Sequence, residues 1–119
     1  MALWNLFQKR RVRDCRRRAE ARPDDPQAQF ELGAALEAAG QPRDAVRAFE
    51  ATLTLSPGSA EAHFNLGILY EGLADGPAAI RHMVQAGNLF AQRQDEDNRA
   101  RARKKLNELY RTFKTPDSV

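Results

Sequence analysis

Apolar positions along this chain recur every three or four residues, the spacing that gathers them on one side of a helix. Glycine and proline break the recurrence at regular points. Pro23-Asp24-Asp25-Pro26 is the first break. Proline fits a helix's first turn but disfavours helix in the residue before it, so one helix ends near Arg22 and another begins near Pro26. The second runs to about Ala39, with Phe30, Leu32, Gly33 and Leu36 turned into packing. Gly40-Gln41-Pro42 makes a tight turn, and the helix that Pro42 opens carries Ala45, Val46, Phe49, Leu53 and Leu55. Ser56-Pro57-Gly58-Ser59 ends it, with Ser59 a cap for a helix from Ala60 to Leu73. Asp75-Gly76-Pro77 repeats the turn, and Ile80, Met83, Val84, Ala86 and Leu89 carry the next helix towards Gln92. Over residues 95–113, Ala102, Leu106, Leu109, Tyr110 and Phe113 form a last stripe, with Arg99, Arg101, Arg103, Lys104 and Lys105 around it.

The pattern copies itself. Phe30-Glu31-Leu32-Gly33 returns as Phe64-Asn65-Leu66-Gly67 with an offset of 34, and Leu36/Tyr70, Ala45/Ala79, Phe49/Met83 and Leu55/Leu89 keep it. Such a period marks helical hairpins that bury their apolar faces by stacking. Leu32, Gly33, Ala45, Phe49 and Pro57 in one copy, and Leu66, Gly67, Tyr70 and Ala79 in the next, resemble the tetratricopeptide repeat (TPR). Met83 and Ala91 replace that motif's Phe and Pro in the second copy, and Gln29 and His63 stand where its Trp often does. The resemblance implies an all-α, right-handed superhelical stack of TPR-like hairpins, with repeats at 26–59 and 60–93 and a capping helix at 94–113. Residues 114–119 form a tail, of which 115–119 are expected to be disordered. Residues 1–25 form a basic N-terminal helix that also falls faintly into phase, Cys15 with Phe49 and Ala19 with Leu53, as in a decayed half-repeat. Gly33 and Gly67 each cost about 1 kcal/mol against alanine within a helix, a cost that close approach of paired helices explains.

Charge is segregated. Residues 1–22 carry eight Lys/Arg against Asp14 and Glu20, residues 23–92 three arginines against nine carboxylates, and residues 93–119 return to a net +3. An acidic repeat region thus lies between basic ends. A single cysteine, Cys15, forms no internal disulfide and points to a reducing, cytoplasmic setting. The apolar start is too short to span a membrane, and its cations follow the apolar stretch, the reverse of a secretory signal.

Candidate chemistry is sparse. Ser56 and Ser59 serve the turn, Cys15 reads as a packing residue, His63 falls in a packing phase and His82 in an exposed one. No nucleophile–base pairing, metal-ligand cluster or phosphate loop is found, so neither catalysis, a metal nor a cofactor is expected. The TPR resemblance implies instead a groove for an extended or helical segment of another protein. Its lining would be Gln27, Phe30, Ala34, Glu37 and Ala38 from the first copy, and Glu61, Phe64, Ile68, Glu71 and Gly72 from the second. Phe30 and Ala34 stand where a carboxylate-clamp relative places Lys and Asn, and only Asn65 keeps that pattern. The groove's phenylalanines, isoleucine and carboxylates suit an apolar partner with basic residues, unless Phe30 and Phe64 simply pack within their own hairpins.

The basic N-terminal surface, Trp4, Phe7, Arg10, Arg11, Arg13 and Arg17, with Leu3 and Leu6 beside it, leaves several readings open. Trp4 and Phe7 cap the stack, or the arginines meet the acidic repeats of a second copy. Alternatively, the segment rests peripherally on an anionic membrane or, less favoured because acidic repeats repel phosphate, binds nucleic acid. The terminal Val119 also fits a domain that captures carboxyl ends.

Overall fold

The computed structural model describes residues 2–114; the expected tail and Val119 fall outside them. Among the described residues every regular element is a helix: α1 (Ala2–Ala21), α2 (Pro26–Ala38), α3 (Pro42–Leu55), α4 (Ala60–Gly72), α5 (Gly76–Gln92) and α6 (Glu96–Thr112). The chain divides between Pro57 and Gly58 into two compact units, α1–α3 and α4–α6.

Each hairpin is closed by the same device. After α2, the N–H of Gly40 donates to Glu37 O and that of Gln41 to Leu36 O. After α4, Ala74 and Asp75 do the same to Glu71 and Tyr70, and after α5, Gln94 and Asp95 to Ala91 and Phe90. This paired pattern is the Schellman motif, which satisfies orphan carbonyls and needs a left-handed residue. Gly40 takes that conformation with φ 74°, Ala74 with φ 61° and Gln94 with φ 59°. The helix starts are equally regular. Asp25, Ser59, Asp75 and Asp95 accept from the backbone N–H of Gln27, Ala62, Ala78 and Asn98. Ser59 caps α4 as its sequence position indicates; Asp25 and Asp75 had read only as turn residues, and Asp95 only as the start of the last helix.

The repeated glycines let the hairpin helices touch. A Cβ on Gly33 would lie 2.9 Å from the Phe49 ring, and one on Gly67 2.7 Å from Met83 Cε. Phe49 and Met83 are buried at matching repeat positions, so the second copy replaces a ring with a thioether in the same slot. In the first unit, α1 packs on α2 and buries Gln8, Val12, Cys15 and Ala19. In the second, Ala79, Met83, Ala86, Phe90, Ala102 and Leu109 form the core with Ala60. A Cβ on Gly76 would meet Phe113 at 2.5 Å, which ties the start of α5 to the end of α6.

Two expected packing positions and one expected exposed position differ. Tyr110 is exposed, because Ala102 and Leu109 centre the α6 stripe and Tyr110 lies one residue, about 100° of rotation, off Leu109. Leu55, the last residue of α3, is exposed also. His82 is buried rather than exposed, for a reason given below.

Candidate partner-binding surface

The first-copy residues fall on α2. Phe30 is half-buried and meets Phe49 edge-to-face, ring centres 5.2 Å apart at 70°. Part of this ring therefore serves its own hairpin. Ala34 is half-covered, while Gln27 and Ala38 are exposed. Gln27 Nε2 donates to Glu31 at 3.4 Å. Glu37 is half-buried, makes no ion pair among the described residues, and burial pushes its carboxyl above the ordinary glutamate range.

The second-copy residues fall on α4, and there the chain supplies its own counter-ions. Arg93, in the turn after α5, grips Glu61 with both terminal nitrogens at 3.0 and 2.8 Å. Lys105 of α6 meets Glu71 at 2.7 Å, with about three-quarters of both side chains covered, and Glu108 at 3.5 Å. Glu71 accordingly pushes the Lys105 ammonium up. Between these pairs Arg101 lies over the Phe64 ring, 5.2 Å from its centre, and donates to Asn98 Oδ1 at 2.9 Å. Phe64, Ile68, Arg101, Lys104, Lys105 and Glu108 line an open cavity of about 340 Å³. The α4 face is thus an apolar floor edged by Arg101, Lys104, Lys105 and Glu108, with its own carboxylates Glu61 and Glu71 already paired. Gly72, the last residue of α4, is exposed.

On α1, Trp4 and Phe7 are 60% and 61% exposed and stack on each other, centres 6.5 Å apart. They cover no core among the described residues. Arg10, Arg11, Arg13 and Arg17 are exposed as well. Cys15 is buried and accepts from Arg18 at 3.1 Å, the place of a packing residue.

Sequence reasoning missed one pair. His63 Nδ1 and His82 Nδ1 are 3.0 Å apart, so one ring donates and the other accepts. Tyr70 stacks on His82 with centres 5.5 Å apart and 6° between planes. This cover buries a polar side chain that its phase had assigned to solvent. The only signal was the offset of 19 between two histidines on adjacent helices, too generic to read. Among the described residues no cluster of three metal-ligating side chains occurs, and no helix is long and apolar enough to cross a membrane.

This geometry agrees with comparison to known proteins. Residues 26–69 match the family model described as tetratricopeptide repeat, so the resemblance read from the sequence holds there. No curated protein sequence matches the chain. Among solved structures, PcrH in complex with the chaperone-binding region of PopD superposes with TM-score 0.81 at 19% identity, covering 93% of this chain and 81% of that one. The Yersinia enterocolitica type III secretion translocator chaperone SycD gives TM-score 0.80 at 16% identity, covering 91% and 78%. MamA of MSR-1 gives 0.67 at 27%, covering 75% of this chain but 52% of that one. The fold is that of TPR-like helical-repeat proteins.

Proposed function

We propose that this chain is a non-catalytic scaffold whose α2 face and α4 face each bind a segment of another protein. The observation that carries the reading is the α4 cavity, where half-buried Phe64 and Ile68 form a floor edged by Arg101, Lys104, Lys105 and Glu108. An apolar surface left accessible beside charged groups is what peptide-recognition sites use: anchors give affinity and charges give register. The match at residues 26–69 supports the reading, since it covers α2, α3 and most of α4. So does the likeness to PcrH, whose structure holds a region of PopD.

The ion pairs support a particular partner chemistry within this reading. Glu61 and Glu71 are engaged by Arg93 and Lys105, so α4 asks for an apolar anchor flanked by a carboxylate for Arg101 or Lys104. On α2 the reverse holds. Glu37 is half-covered and unpaired among the described residues, so a basic residue beside a small apolar one fits Glu37 and Ala34. Within this reading α1 is the second helix of a decayed hairpin, contributing its Val12, Cys15 and Ala19 stripe to the packing of α2.

The test is capture of partners by the wild type and by a Phe30→Ala/Phe64→Ala/Ile68→Ala variant, both checked for helicity. The variant should lose at least one specific partner. Retention of all of them by a folded variant removes the α2 and α4 assignment.

A further inference from the structure

The α1 helix carries a second surface that the partner reading does not use. Its buried stripe, Gln8, Val12, Cys15 and Ala19, occupies one side. At 100° per residue, Leu3, Leu6, Arg10, Arg13 and Arg17 share the opposite side, apolar at one end and cationic along the rest. The 20 residues of α1 against 13 in α2 leave its first turns beyond the helix it packs on, and residues 2–7 are all exposed. Leu3 is 81% and Leu6 46% exposed; by the same rotation Trp4 falls on the side of the buried stripe and Phe7 between the two sides, both open because α1 overhangs α2 there. Only two of the arginines have a carboxylate within reach, Arg13 with Asp14 at 3.8 Å and Arg18 with Glu31 at 3.9 Å. Arg10, Arg11, Arg16 and Arg17 have no ion pair among the described residues.

We propose that α1 docks on an anionic phospholipid surface, with its overhanging apolar tip, Leu3 and Leu6 on the outward side and Trp4 and Phe7 around it, inserted at headgroup depth and Arg10, Arg13 and Arg17 on the lipid phosphates. The charge fits that occupant, and the apolar side chains decide between it and others. A helix too polar to cross a bilayer but apolar at one end and basic along one side lies in the interface. Nucleic acid rewards the cations but gives Leu3 and Leu6 nothing to stack on. A second α1 brings like charges together. The site rests on α1 alone and stands or falls independently of the partner reading.

Trp4 is the chain's single tryptophan, so its fluorescence reports the insertion directly. The full chain is mixed with vesicles of phosphatidylcholine alone, with vesicles containing one-quarter phosphatidylserine, and with single-stranded RNA, across salt. The expected result is flotation with the anionic vesicles only, a blue shift of Trp4, and weakening as salt rises. Each interfacial cation is worth about fivefold in partitioning, so Arg10→Gln/Arg13→Gln/Arg17→Gln lowers it roughly 100-fold. Leu3→Ala/Phe7→Ala lowers it about tenfold or more. All five positions are exposed, so unchanged helicity is expected in both variants. The proposal is overturned by absence of flotation with anionic vesicles, by flotation without a Trp4 shift, or by binding to RNA in place of lipid.

Discussion

Replacing Gly33 by alanine isolates the contact on which the first hairpin depends. Two effects oppose each other. Alanine within a helix is favoured over glycine by about 1 kcal/mol, so on propensity alone the change stabilises. The new methyl, however, would sit 2.9 Å from two atoms and 3.0 Å from a third atom of the Phe49 ring. Phe49 has no exposed surface and is braced edge-on by Phe30, so the ring cannot swing aside without disturbing a second aromatic. Overpacking a filled core typically costs 1–3 kcal/mol, and three contacts against an immobile ring put this case near the top of that range, about 3. The net expectation is a loss of about 2 kcal/mol, or roughly 8 °C or more in Tm for a domain near 100 residues. Gly67→Ala supplies the comparison, since its methyl would meet chiefly the flexible end of Met83, at 2.7 Å, and should cost less. Gly72→Ala has nothing within 4 Å and should be neutral or stabilising. Urea melts of the three variants measure the order, and Phe49→Leu should recover part of the Gly33→Ala loss. A Gly33→Ala protein as stable as the wild type would refute the close-approach explanation of the repeated glycine.

Ala74→Gly and Gln94→Gly should each raise stability by about 1 kcal/mol in the same melts, because both residues hold a left-handed conformation that costs L side chains 1–2 kcal/mol. Ser59→Ala should lower it by about 1 kcal/mol through the lost α4 cap; no change in midpoint would mean the cap is dispensable. Glu37 has a folded-state carboxyl raised above its unfolded value of about 4.5, so the folded chain holds that proton more tightly and stability declines as pH rises past 4.5. Glu37→Gln should flatten that decline and leave the variant more stable at pH 7, as thermal melts across pH would reveal. Lys105→Met and Glu71→Gln should each cost about 1 kcal/mol but together less than their sum, and strict additivity in the double-mutant cycle would show that the pair is not coupled.

What could be read from sequence was whatever repeats or punctuates. The recurrence of Phe30-Glu31-Leu32-Gly33 at Phe64 located both hairpins and gave the glycines their purpose, because packing that recurs leaves the same residue twice. Proline and glycine placed the helix ends to within a residue or so. Asp25 and Asp75 were hidden as caps because an aspartate beside proline or glycine reads equally well as a turn residue, and Asp95 because it lies in a polar run with no break to mark the helix start. The candidate site was legible only in its floor. Phe64 and Ile68 follow from repeat phase, but Glu61–Arg93 and Glu71–Lys105 join residues more than thirty positions apart, and no local pattern announces them. Counting carboxylates along α4 therefore missed the cations that pair with them. His82 misled for a similar reason: its cover comes from Tyr70 and His63 on the neighbouring helix.

The pairing of α4 with its counter-ions separates two jobs that one helix would otherwise perform. Phe64 and Ile68 supply the floor, whereas the electrical character above it is set by Arg93, Arg101 and Lys105, which lie outside α4. Selectivity can consequently drift without altering the surface that supplies grip. In the proposed role, a few substitutions on α6 would change which class of segment the α4 face favours, while the α4 hairpin kept its sequence. Lineages built on this unit could diversify their clientele from the edge inward, leaving the repeat motif intact.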